Sequence, residues 1–192
     1  MPKQLSPRVI FAIISLVCIA ILTTAWYLQY GPGRQQPCPL CILQRYVFMA
    51  LAILCLLASA HGPERIGMLV YAAIADLFAS AGIGLAIWQV TKGASMTSCL
   101  SDPIGEFVNG LPPANWWPEY FFANGGCADK YPAIMGLYAP QWSLVWFAVI
   151  IGMITVALLA TLRRRRATQE LQAHESTAAR LDLRGTDFGP EQ

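Results

Sequence analysis

The sequence predicts an all-α integral membrane protein, a four-helix transmembrane bundle with two outward-facing loops. Of its 192 residues, 56% are hydrophobic and only 12% are charged, about half the charged share of a typical soluble domain. The apolar residues concentrate in four blocks, at 9–28, 41–60, 67–90 and 142–162. Each block is long enough to supply the roughly 20 residues that a helix needs to cross a bilayer. We therefore divide the chain into a membrane domain, 1–162, and a basic and polar tail, 163–192.

The first block contains no charged residue and is too long for a signal peptide, whose apolar core runs about 7–15 residues. A lipoprotein signal at Cys18 is also excluded, because Val17 before it is not small. We interpret the block as an uncleaved span, with Cys18 as an apolar filler. Trp26 and Tyr27 mark its membrane interface.

The second block raises a question of length. From Tyr46 to Ala60 a helix would span only about 22 Å, against a hydrocarbon thickness of about 30 Å. The helix must therefore begin earlier, near Cys41, which places Arg45 in its first two turns. An arginine at this depth usually marks a functional site, and snorkelling toward lipid phosphates is the alternative. The preceding loop, 29–40, is rich in glycine and proline and is predicted to be non-helical.

The third block contains Asp76 near the middle of the bilayer. An acid there marks a functional site, takes an interhelical hydrogen bond or stays protonated. The loop after it, 91–141, carries an aromatic cluster at 116–122. We expect this cluster to form a short interfacial element that holds the loop close to Cys38 and Cys41. The fourth block ends in four arginines, and the tail beyond them is expected to be disordered or weakly helical.

Lysine and arginine residues near the block ends predict the orientation. One side carries Lys3, Arg8, Arg65 and the run 163–166, and the other carries Arg34, Lys92 and Lys130. Because the first side is the more basic, we expect both termini in the cytoplasm and the loops 29–40 and 91–141 outside. In a bacterial cell the outside is the periplasm, where disulfides persist. The formal net charge of +2 is too small to indicate nucleic-acid binding.

Four of the six cysteines lie outside the spans, two at each outer loop: Cys38, Cys41, Cys99 and Cys127. On the oxidising side of a membrane they are expected to form two disulfides. Cys38–Cys41 closes the very small ring typical of redox-active pairs, whereas Cys99–Cys127 is either redox-active or a structural staple. A four-cysteine zinc site usually takes two Cys-x-x-Cys pairs. Only one is present, so no metal site is predicted.

Cys41 and Arg45 fall one helical turn apart at the start of the second block. A cysteine at a helix N-terminus beside a cation favours the thiolate. The helix dipole repels the arginine, which therefore needs an electron-rich partner. Dithiols have potentials of roughly −270 to −180 mV and a strongly oxidising periplasmic partner about −120 mV, so a thiol pair alone would reoxidise that partner only uphill. Because no haem, iron–sulfur or dinucleotide motif is present, the simplest final acceptor is a lipid-soluble quinone.

The stretch PCPLCILQR at 37–45 resembles the signature of the disulfide bond formation protein B (DsbB) family. The four-block layout, GCAD at 126–129 and PQW at 140–142 are similar to it too, and the likeness covers about 9–162. The resemblance implies an inner-membrane, quinone-dependent thiol oxidoreductase. Such an enzyme takes electrons from the reduced thioredoxin-fold oxidant DsbA in the periplasm and passes them to ubiquinone, or to menaquinone without oxygen.

The resemblance also implies roles for individual residues. Cys99 would form the mixed disulfide with the partner, and Cys127 would then exchange with Cys38. That exchange would free Cys41 as a thiolate against the quinone, with Arg45 stabilising its charge.

The third block departs from the family pattern. Relatives often carry an arginine or histidine near its outer end, where this chain has Trp88 and Gln89, so no second polar contact to the quinone carries over. One alternative is a non-catalytic or metal-binding membrane scaffold with structural disulfides. Another is a vitamin K epoxide reductase-like oxidase, although there the Cys-x-x-Cys lies late in the chain, unlike Cys38–Cys41.

Overall fold

The computed structural model describes residues 6–31, 36–62, 65–92, 103–126 and 133–185. These residues form seven helices: α1 (Pro7–Tyr30), α2 (Pro39–His61), α3 (Arg65–Lys92), α4 (Pro103–Asn109), α5 (Pro112–Trp116), α6 (Pro118–Phe121) and α7 (Ala139–Gly185). Within these ranges the only extended pairing is one isolated bridge between Ile134 and Leu137. Helices α1, α2, α3 and α7 are long and apolar enough to cross a membrane, which confirms the predicted all-α, four-span fold.

Helices α1 and α2 extend into the segment 29–40, which the sequence predicts to be non-helical throughout. α1 continues to Tyr30, and α2 begins at Pro39 with Cys38 as its N-cap residue. The prediction is wrong at both ends. Proline is tolerated at the first helical position because a backbone N–H there would make no hydrogen bond within the helix. At the other end of α2, Gly62 closes the helix in the left-handed conformation, with φ of 53°, which favours glycine.

The four long helices pack in the cyclic order α1, α2, α3, α7, so each contacts two others. Their apolar core contains Phe48 of α2 and Phe147 of α7, whose rings stack with centroids 4.1 Å apart. Gly82 on α3 makes room for this pair, since an added Cβ would clash with the Phe147 ring. Cys18 and Cys55 are completely buried in the same core, as expected for small apolar fillers.

The segment 103–126, which we call the cap, contains α4, α5 and α6 and folds onto the start of α2. The Pro37 carbonyl accepts hydrogen bonds from the Asn124 N–H at 3.2 Å and the Gly125 N–H at 3.0 Å. The short helices of the aromatic cluster are thereby held next to Cys38, as the sequence predicts.

Helix α7 is longer than the predicted fourth span. It begins at Ala139 and continues without a break to Gly185, so the first part of the tail is a full helix. The residues after the four arginines include many strong helix formers, and no glycine or proline occurs before Gly185. Helix propensity alone therefore favours continuation. The spans were predicted from their apolar blocks, and this polar stretch has none. The continuation of the helix into the tail was therefore not predicted.

Candidate functional site

Cys38 and Cys41 lie together at the N-terminus of α2. The Cys38 sulfur accepts the Cys41 N–H at 3.3 Å, and the Cys38 thiol donates to the Cys41 sulfur across 2.9 Å. This hydrogen bond, together with burial, raises the pKa of Cys38. Cys38 therefore keeps the proton, and Cys41 is the sulfur that can carry negative charge at the positive end of the helix dipole. The two sulfurs are not covalently joined, so this is the reduced pair, and its disulfide stays a prediction.

Two buried side-chain amides, Gln89 of α3 and Gln44 of α2, lie next to the two sulfurs, and Gln89 contacts them directly. The Gln89 side-chain nitrogen donates to Cys38 Sγ at 3.2 Å and to Cys41 Sγ at 3.1 Å. Gln44 of α2 in turn donates to the Gln89 side-chain oxygen at 2.8 Å. Only 4% of Gln44 and 6% of Gln89 is exposed. Neither residue is predicted from the sequence to have a role, although polar residues within apolar blocks are a signal of interhelical hydrogen bonding.

Arg45 lies beside Cys41 with its guanidinium bonded inside the protein. Its Nη1 donates to the Gln29 side-chain oxygen at 2.7 Å and to the Tyr120 carbonyl at 2.8 Å. The guanidinium carbon also lies 4.8 Å from the centre of the Tyr120 ring. Because these partners are neutral, they leave the positive charge of Arg45 uncompensated. The side chain is only 8% exposed, which argues against snorkelling toward lipid phosphates.

The cap is tied to α1, and this fixes the partners of Arg45. The Tyr120 hydroxyl donates to the Leu22 carbonyl at 3.1 Å, and the Tyr30 hydroxyl donates to the Glu119 carbonyl at 2.7 Å. Burial raises the pKa of Tyr120, so the phenol keeps the proton that it donates to Leu22. Sequence reasoning does not identify Tyr120, because it approaches Arg45 only through the folding of the cap.

A cavity of about 110 Å³ opens between α1, α2 and the start of α7. This is several times the space that one water molecule needs. Its lining includes the polar residues Cys41, Gln44 and Arg45 of α2, and Leu22 of α1 and Phe48 of α2 are among its apolar residues. N–H donors together with apolar side chains fit a flat ring that carries carbonyl oxygens, as a quinone does.

Two predicted site residues, Cys99 and Cys127, lie outside the described residues. Within the described ranges no three His, Cys, Asp or Glu side chains are grouped to hold a metal ion. Asp76 is exposed on α3, about 20 Å along the helix from Gln89, and is not part of this site.

Comparison with known proteins identifies relatives over most of the chain. The model of the family described as disulfide bond formation protein DsbB matches residues 7–158. Disulfide bond formation protein B of Nitrosomonas europaea is 39% identical over 143 residues, covering 73% of this chain and 86% of the relative. The protein of the same name from Herminiimonas arsenicoxydans is 40% identical over 165 residues, covering 84% and 98%. The one from Ralstonia nicotianae is 34% identical over 162 residues, covering 84% and 99%.

Proposed function

The chain belongs to the DsbB family of disulfide bond formation proteins, and from this premise we propose that it is a quinone-dependent thiol oxidase. It re-forms the disulfide of a periplasmic DsbA-type thioredoxin-fold oxidant and passes two electrons to a membrane quinone, ubiquinone or menaquinone. Both termini are cytoplasmic, and the Cys38–Cys41 pair lies at the periplasmic end of the bundle. The distribution of lysine and arginine supports this orientation.

One observation carries the proposal. Cys41, the second cysteine of a pair at a helix N-terminus, lines the same cavity as a buried arginine whose hydrogen-bond partners are neutral. The positive end of the helix and Arg45 both favour negative charge on Cys41. A structural disulfide needs neither feature, so the scaffold alternative leaves the burial of Arg45 unexplained.

The thiol steps run from the partner to the pair on α2. A partner thiolate attacks Cys99 and forms a mixed disulfide, and Cys127 leaves as a thiolate. Cys127 then attacks Cys38, which breaks the Cys38–Cys41 bond and releases Cys41 as a thiolate. Once the partner disulfide and Cys99–Cys127 have re-formed, the two electrons of the partner dithiol rest on Cys38 and Cys41 together with one of its protons, and the other proton is released to water.

The residues around the pair then prepare it for oxidation. Cys38 holds one proton in its hydrogen bond to Cys41. Arg45 balances the charge of the Cys41 thiolate, and the apolar cavity walls exclude bulk water. A quinone bound there supplies an acceptor for two electrons and two protons. Arg45 and Gln44 would hold its carbonyl oxygens, and apolar side chains of α1 would cover its ring.

The test is turnover by the purified protein in detergent. Reduced DsbA-type partner and a soluble ubiquinone or menaquinone analogue are added, and quinone absorbance is followed. Cys41→Ser is expected to abolish turnover, and Arg45→Ala to lower it about tenfold or more, since a charge-assisted contact to the thiolate is lost. Cys55→Ala, in the apolar core, is the control that keeps turnover.

Two results would contradict the proposal. Absence of turnover with both quinones, while all four loop cysteines are present as disulfides, would favour the non-catalytic scaffold. Stoichiometric zinc or copper on the purified chain, with all four thiols blocked, would favour the metal-binding alternative.

A further inference from the structure

We propose that Gln89 is a catalytic residue of the Cys38–Cys41 pair, because its amide stabilises the reduced sulfurs directly, and that Gln44 positions this amide. The inference rests on the proposed redox role of the pair and goes beyond it. The resemblance to the family assigns Gln89 no such role.

The hydrogen bonds define how the amide is oriented. A glutamine side-chain nitrogen carries two N–H donors, and the Gln89 nitrogen lies 3.2 Å from one sulfur and 3.1 Å from the other. The Gln89 oxygen accepts from Gln44 at 2.8 Å. With its oxygen occupied by Gln44, the amide presents its nitrogen to both sulfurs. Removal of Gln44 would leave the Gln89 side chain free to rotate.

The amide favours the reduced pair over the disulfide. A thiolate accepts hydrogen bonds much more strongly than a neutral sulfur does, and burial strengthens the effect further. A dithiol whose reduced form is stabilised becomes a stronger oxidant. Gln89 therefore raises the reduction potential of the pair. The higher potential makes the free energy of electron transfer from a strongly oxidising partner to the pair less unfavourable.

The effect of the amide is separable from that of the charges nearby. Among the described residues, Arg45 on α2 is the charged group that acts on the Cys41 sulfur. Tyr30 on α1 and Tyr120 in the cap act on Arg45, and Glu119 acts on Tyr30. Gln89 is neutral and approaches from α3, so replacing it leaves those groups in place. A change in the thiol chemistry of a Gln89 variant then reports the amide itself.

The experiment measures the thiols without quinone or partner. The full-length protein is equilibrated in glutathione buffers of graded redox potential, and the Cys38 and Cys41 peptides are quantified by differential alkylation and mass spectrometry. For Gln89→Leu we expect the equilibrium to shift toward the disulfide by about tenfold, about 30 mV for a two-electron couple. The pH profile of alkylation in the reduced protein is expected to move upward by about one unit.

Further variants separate this role from a structural one. Gln89→Met keeps a neutral side chain of similar length but removes the N–H donors, so it is expected to shift the equilibrium in the same direction as Gln89→Leu. Gln89→His, which keeps an N–H donor, is expected to shift the equilibrium less than Gln89→Leu does. Gln44→Leu is also expected to give a smaller shift than Gln89→Leu. Thr91→Val, on the same end of α3 with its hydroxyl bonded to Ile87, is the matched control.

A Gln89→Met protein with the potential and alkylation profile of Thr91→Val would overturn the inference, whether or not Gln89→Leu folds. Because neither assay needs quinone or partner, the outcome is independent of the oxidase test. A chain without oxidase turnover can still show the shift. An active oxidase in which the Gln89 variants change nothing would overturn only this inference.

Discussion

The described residues contain two pairs of cysteines that differ above all in their surroundings: three of the four are buried, and only Cys41 is partly exposed. Cys18 and Cys55 lie in the apolar core among side chains such as Ile14 and Leu51. Cys38 and Cys41 lie at the start of α2, where a backbone N–H and an amide nitrogen donate to the sulfurs. Both Cys38 and Cys55 are almost inaccessible to solvent, at 3% and 0% exposure.

The difference shows that donors, and not exposure alone, separate a reactive thiol from an inert one. A sulfur among hydrocarbon side chains behaves as a small apolar group, because its charged form gains nothing from its neighbours. A sulfur at a helix N-terminus with an arginine nearby has that charged form stabilised. One residue type thus fills space in one half of the bundle and supplies chemistry in the other.

The largest expected effect is on thiol reactivity. In the folded, reduced protein we expect iodoacetamide to modify Cys41 at least about a hundredfold faster than Cys18 or Cys55 at neutral pH, because Cys41 is partly exposed and has its thiolate stabilised. Mass spectrometry of a time course measures the three rates. Denaturation is expected to bring them together. Equal rates before denaturation would remove the proposed distinction between the two pairs.

A smaller effect is expected from a change confined to the apolar half. Gly82→Ala places a methyl group against the Phe147 ring, and overpacking of this kind costs about 1–3 kcal/mol of unfolding free energy. Gly84→Ala, where an added Cβ meets nothing within 4 Å, is the matched control. Unfolding in detergent measures both variants. A slower alkylation of Cys41 in folded Gly82→Ala protein would show that the two halves are coupled.

The smallest effect is expected from Tyr46, which lies next to Arg45 in sequence but contacts the cap. Its ring stacks on Phe121 at 5.2 Å, and its hydroxyl is buried without a hydrogen-bond partner among the described residues. Tyr46→Phe removes an unsatisfied polar group and is expected to leave stability unchanged or raise it by up to about 1 kcal/mol. Unfolding and quinone turnover are measured together. A clear loss of either would reveal a partner for this hydroxyl.

Local patterns predicted the spans and the clustering of Cys41 with Arg45, because both follow from helical spacing. The contacts of Gln89 with Cys38 cross 51 residues of sequence, and those of Tyr120 with Arg45 cross 75. Such contacts depend on how helices pack, and a single sequence holds no spacing rule for them. The family pattern gave no role to Gln89 because it specifies an arginine or histidine near this end of the third span. It says nothing about which side chains surround the position in the folded protein.

Helix α7 makes the fourth span and the first part of the tail one continuous rod. From Ala160, where the apolar window ends, to Gly185 the helix extends about 37 Å. A span tilted by about 20° from the bilayer normal would displace the far end sideways by about 13 Å. The end of α7 is therefore a lever that amplifies small rotations of the fourth span, and a spectroscopic label near it would report the tilt of that span.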